Sequence, residues 1–117
     1  MATLDNRMEL NGKQYYCRQW NATKAMQMNA RLISNMGGLA FKFVDGTWET
    51  RDLAGVMSEA PDDLIPMLTE FVCTARIDGK TLEPFEFDME YSGDLLRIFK
   101  VFSFVASTNY KDFFAQG

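Results

Sequence analysis

Residues 93–109, GDLLRIFKVFSFVASTN, constrain the fold of this chain more than any other stretch. At helical spacing, Arg97, Lys100, Ser103 and Ser107 fall on one narrow face and nearly everything else is apolar. A helix that is apolar round most of its circumference must be enclosed by the rest of the chain. Ser92 is placed to cap its start. The pattern predicts a helix over 93–109, with Phe99, Phe102 and Val105 in the core, and a turn after Asn109, a natural helix stop. Beyond that stop lie Tyr110, Phe113 and Phe114. Aromatics at helical spacing belong to a core more often than to a binding site. Aromatics clustered near a chain end also mark contact surfaces. Both readings apply to these three, and they are the candidate protein-binding residues, expected to pack on a neighbouring subunit or a client.

The enclosing elements are legible in outline. Asn11-Gly12 lies between two short strand-like runs, and both residues tolerate positive φ, so a hairpin is predicted over about residues 7–19. Such a hairpin needs something to pack on. Asn21 is placed to cap a helix over 22–36, whose apolar stripe is 22, 25, 26, 33 and 36, widened by Met28 and Leu32. Gly37-Gly38 stops it. Residues 39–50 alternate Leu39, Phe41 and Phe43 before Asp45-Gly46, which fits either a second hairpin or a helix extension. Thr50 can cap a helix over 51–60, and Pro61 breaks it. Another helix is predicted over 63–75, with Pro66 in its first turn and apolar positions 64, 65, 68, 71, 72 and 75. Residues 76–91 read as a loop with short extended pieces. The expectation is therefore a single α+β domain over 1–117, mainly helical, with about four helices and an N-terminal β-hairpin.

Composition narrows the chemistry. With 47% hydrophobic and 24% charged residues in 117, the chain has the make-up of an ordinary globular protein. No apolar run approaches a membrane span, and the N-terminus carries no basic-then-apolar signal, so a cytoplasm is the expected compartment. Net charge is −4, with the excess between Glu59 and Asp94, where ten acidic residues face Arg76 and Lys80. No basic patch points to nucleic acid. Histidine is absent, which removes the commonest general base and the commonest zinc and copper ligand. Cys17 and Cys73 have no metal-ligand spacing and read as buried thiols.

Two short motifs come close to known sites. DGKT at 78–81 has the end of a phosphate-binding loop, but that loop needs glycine at position 74, which is threonine. DMEYSGD at 88–94 opens like a calcium loop, but its twelfth position is Phe99, not a bidentate glutamate. An ordinary turn and a helix start with acidic residues near its dipole account for them. No catalytic residue, metal or cofactor is expected.

Taken together, ELNGKQYYCRQWNATKAMQMNARL and YSGDLLRIFKVFSFVASTNYKDFF resemble the opening and the final helix of the tail assembly chaperones of long-tailed bacteriophages. The helix APDDLIPMLTEFV followed by a DGK loop is similar as well. The resemblance implies a small, mainly helical, non-enzymatic protein made in the host cytoplasm. It implies binding of the tape measure protein, assistance to tail tube protein assembly, self-association into a homo-oligomer and absence from the mature virion. The alternative is a structural tail completion or connector protein, which would be found in purified virions. A carboxylate-based metal hydrolase using Asp88, Glu90 and Asp94 ranks last, because no ligand set is complete.

Overall fold

A computed structural model describes residues 5–115 of the chain. Strand β1 (Asp5–Leu10) turns into β2 (Lys13–Arg18) through Asn11 and Gly12, at φ 53° and 79°. Both turn residues occupy the left-handed region, which gives the twist a two-residue hairpin needs. A second hairpin follows the same rule later in the chain. Strands β3 (Arg76–Ile77) and β4 (Lys80–Thr81) are joined by Asp78 and Gly79, at φ 51° and 83°. The stretch expected as a loop thus closes a four-stranded antiparallel sheet of order β1-β2-β3-β4. Tyr15 pairs with Ile77 and Tyr16 with Arg76. The Asp78 carboxylate accepts from the Gln14 N–H at 2.9 Å, fastening the second turn to the first hairpin.

Six α-helices lie among the described residues, not about four. Helix α1 spans Ala22–Met36, capped by the Asn21 side chain, which accepts from the Lys24 N–H at 2.9 Å. Its core face is Met28, Leu32 and Met36, an i, i+4, i+8 row. Met26 and Ile33, expected in the core stripe, are exposed. They lie roughly 100° round the helix from that row. Residues 39–45 form helix α2 (Leu39–Asp45), with Ala40, Phe43 and Val44 buried and Phe41 exposed. The apparent alternation there is overridden by the i, i+3, i+4 burial of a short helix. Helix α3 (Thr50–Glu59) starts at the expected cap, Thr50, itself: Glu49 occupies the N-cap position and its N–H donates to Asp52 at 2.8 Å. Helix α4 (Leu64–Thr74) buries Leu64, Met67, Leu68, Phe71 and Val72, leaving Ile65 outside. A single 3₁₀ turn at Pro84–Glu86 leads into α5 (Phe87–Tyr91).

Helix α6 spans Leu95–Ala115 and runs straight through Asn109. The expected turn is absent for a specific reason. The Asn109 amide donates to the Val105 carbonyl at 3.0 Å, while its oxygen accepts from the Trp20 N–H at 2.8 Å. Its side chain is thereby engaged with the preceding helical turn and with the β2–α1 connection, so the helix continues. The central segment of α6 is the enclosed one: Val101, Phe102, Val105 and Ala106 are fully buried. Phe102 packs edge-on against Phe71 of α4 and Phe43 of α2, at 4.8 and 5.2 Å between ring centroids. The buried Ser103 hydroxyl donates to the Phe43 carbonyl, which gives this polar atom a partner inside the core.

Candidate functional site

Two apolar depressions open on the helical surface. The first is a groove of about 190 Å³ walled by Met57 of α3, Ile65 and Leu68 of α4, Phe87 of α5, and Leu95, Ile98 and Phe99 of α6. It offers no polar atom to an occupant. Thr69 also lines it, but its hydroxyl donates to the Ile65 carbonyl at 2.9 Å. Ile65 and Leu95 are 54% and 67% exposed, so the walls stand open while Leu68, Ile98 and Phe99 form a buried floor.

The second depression, about 230 Å³, lies between the start of α1 and the end of α6. It gathers Ala22, Ala25, Met26 and Asn29 with Asn109, Tyr110 and Phe113. Met26 and Phe113, 68% and 65% exposed, are its rim. Asn29 Oδ1 is buried and accepts no hydrogen bond among the described residues.

The three candidate residues of the C-terminal end separate here. Tyr110 is 4% exposed, its ring lies near Trp20 and Phe71, and its hydroxyl donates to the Ala25 carbonyl at 2.7 Å. Within this chain it packs as a core residue, one of the two readings the sequence leaves open for it. Because α6 does not break at Asn109, Tyr110 stays on the face already enclosed by α1 and α4. Burial raises its phenol pKa well above the ordinary value. Phe113 remains on the surface. The side chain of Phe114 lies outside the described residues.

The acidic motif at 88–94 is occupied by the protein itself. Glu90 accepts from Lys13 Nζ and from Arg97 Nη1, both at 2.8 Å, and Asp94 accepts from Arg97 Nε at 2.9 Å. These bonds hold the Glu90 carboxyl below its usual pKa, Lys13 first and Arg97 second. Among the described residues no group of three His, Cys, Asp or Glu is arranged to hold a metal. Cys17 is a buried thiol and Cys73 a half-buried one whose pKa is raised, chiefly by desolvation. No described helix is long and apolar enough to cross a membrane.

A sequence-family model described as "Phage tail assembly chaperone protein, TAC" matches residues 11–117. The chain belongs to the phage tail assembly chaperone family. No curated protein and no solved structure matches it. In this tail assembly chaperone, the apolar surfaces that the sequence does not announce are Met26 and the α3–α6 groove. Met26 was assigned to the core stripe of α1, though its offset from the 28-32-36 row was a usable signal. The groove joins residues 57 to 99 across four helices, and no local pattern could have announced it.

Proposed function

We propose that this tail assembly chaperone binds the tape measure protein and assists assembly of the tail tube around it, without a catalytic step. The observation that carries the reading is the family match over residues 11–117. Two open apolar depressions on a chain of net charge −4 support it, because a chaperone must show apolar surface and stay soluble. Lack of histidine and the engagement of Glu90 and Asp94 by Arg97 support the non-enzymatic part. Phe113, together with Met26 above the buried Tyr110, forms one contact surface for client or a second copy. Phe114 belongs to the same end of α6. The chaperone works in the host cytoplasm and leaves before the virion matures.

Co-expression with the tape measure protein of the same phage tests this. The expected result is a soluble complex that co-elutes in size-exclusion chromatography, with the chaperone absent from purified virions. A tape measure protein that stays equally insoluble with and without the chain would overturn the reading. Stoichiometric presence in virions would favour the structural tail component instead.

A further inference from the structure

The α3–α6 groove is walled by carbon and sulfur, and its occupant must therefore bring no unsatisfied polar group into it. An extended segment would bury N–H and C=O groups against Ile65, Leu95 and Phe87 with nothing to receive them. A helix satisfies its own backbone and can lower apolar side chains into such a groove.

Along the chain, the exposed charges nearest the groove residues are mostly acidic. Glu59 follows Met57 by two residues, Asp62 precedes Ile65 by three, and Asp88 follows Phe87 directly. All three are exposed, and none makes an ion pair among the described residues. Asp94, next to Leu95, is shared with Arg97. On the cationic side, Arg97 is buried and held by Glu90 and Asp94, which leaves Lys100 as the exposed base within three positions of a lining residue. An apolar groove whose neighbours along the chain are mostly acidic matches a helix with an apolar stripe and basic flanks, since complementary charge near a contact raises the association rate and selects the partner.

We propose that the α3–α6 groove receives an amphipathic helix whose apolar stripe is bordered by lysine and arginine. This rests on the client-binding reading above and names the kind of client segment that the groove takes.

Two labelled synthetic helices about 18 residues long, with the same leucine stripe at i, i+3, i+4 and i+7, provide the test. One has Lys/Arg flanks and the other Glu flanks, and binding is read by fluorescence anisotropy. The basic helix should bind the full-length chain about tenfold or more tighter at low salt. That advantage should shrink as salt is raised. Ile65→Glu and, separately, Leu95→Glu alter exposed wall positions; each should abolish binding of the basic helix while the melting temperature stays close to wild type. Together, Glu59→Gln, Asp62→Asn and Asp88→Asn should remove most of the preference between the helices. Equal binding of both helices, or no binding of either, overturns the proposal. So does unchanged binding by both wall variants. If Ile65→Glu dissociates a homo-oligomer while the peptides never enter, the groove is a self-association face and the proposal fails. Capture of tape measure protein by Ile65→Glu at the wild-type level overturns the groove assignment and leaves the chaperone reading intact. Failure of wild-type protein to capture it overturns the chaperone reading itself.

Discussion

Arg31 and Arg97 are each gripped by two carboxylates, but in different surroundings. Arg31, on α1, forms a two-pronged pair with Asp63 at 2.7 and 2.9 Å and reaches Glu70 at 2.7 Å, tying α1 to α4. Its side chain is 27% exposed and both carboxylates are more so. Arg97, on α6, reaches Glu90, Asp94 and the Tyr15 hydroxyl, donates to the Glu90 carbonyl, and lies over the Tyr91 ring at 4.5 Å. Its side chain is 8% exposed. Water can replace what Arg31 offers its partners. It cannot reach the Tyr15 end of the Arg97 cluster, where the hydroxyl is fully buried. The same set of charges is thus a clamp between two helices in one place and an internal joint in the other. The joint fixes β2, α5 and α6 together, and α5 carries the Phe87 wall of the groove.

Breaking the joint should have the largest effect. Arg97→Met removes the guanidinium from Tyr15, Glu90 and Asp94 at once and should cost about 3 kcal/mol in chemical denaturation. A loss below about 1 kcal/mol would put Arg97 in the same class as Arg31.

Acid acts on both clusters and comes next. Hydrogen bonds from Arg31 and then Asn35 lower the Asp63 carboxyl from its ordinary 3.8 to about 2. Glu70 and Glu90 are also lowered, by bonds from Arg31 and from Lys13 and Arg97 respectively. A carboxylate whose folded pKa is depressed stabilises the fold above its unfolded pKa and loses that contribution as pH falls to the folded value. For Asp63 the window runs from 3.8 down to about 2. Thermal melts should therefore hold steady through mildly acidic pH and drop within this window. Asp63→Asn should flatten part of the drop; an unchanged acid profile in that variant would show that the Arg31 pair contributes nothing.

Removing the clamp is a smaller change. Arg31→Ala should cost about 1 kcal/mol at low salt and measurably less at high salt, because its partners are open to solvent. The Arg97 variant should show little such salt dependence. Smallest of all is Lys13→Ala. Lys13 also pairs with Glu90 at 2.8 Å, but its side chain is 41% exposed. A loss within about 0.5 kcal/mol, read from denaturation midpoints, is expected. A larger one would move the strength of the cluster from Arg97 to the hairpin.

The clamp and the joint also differ in how far the sequence announced them. Asp63 stands at the N-cap position of α4, but its carboxylate is turned to Arg31 instead of the helix N–H groups. Arg97 was assigned to a narrow polar face of α6, which says nothing of Tyr15. The Asp78-Gly79 turn was readable by the same rule that located Asn11-Gly12. The sequence shows it as an ordinary turn beside short extended pieces but not as a hairpin, because its strands are two residues long and have no apolar alternation of their own. They exist as strands only because β2 lies beside them.

What the sequence determined by itself was local. The Asn21 cap, the Asn11-Gly12 turn and the enclosure of Phe102 and Val105 follow from forces acting within a few residues: one hydrogen bond, two positive φ angles, one apolar face. Tertiary structure decided whatever depends on a distant partner. Asn109 ends no helix because Trp20, 89 positions away, takes its oxygen. Tyr110 is core because the Ala25 carbonyl, 85 positions away, receives its hydroxyl. Arg97 is a joint because Tyr15 lies 82 positions away. Propensity and pattern weigh about a kilocalorie per residue or less, and a long-range hydrogen bond or a buried face outweighs them wherever the chain brings the two ends together.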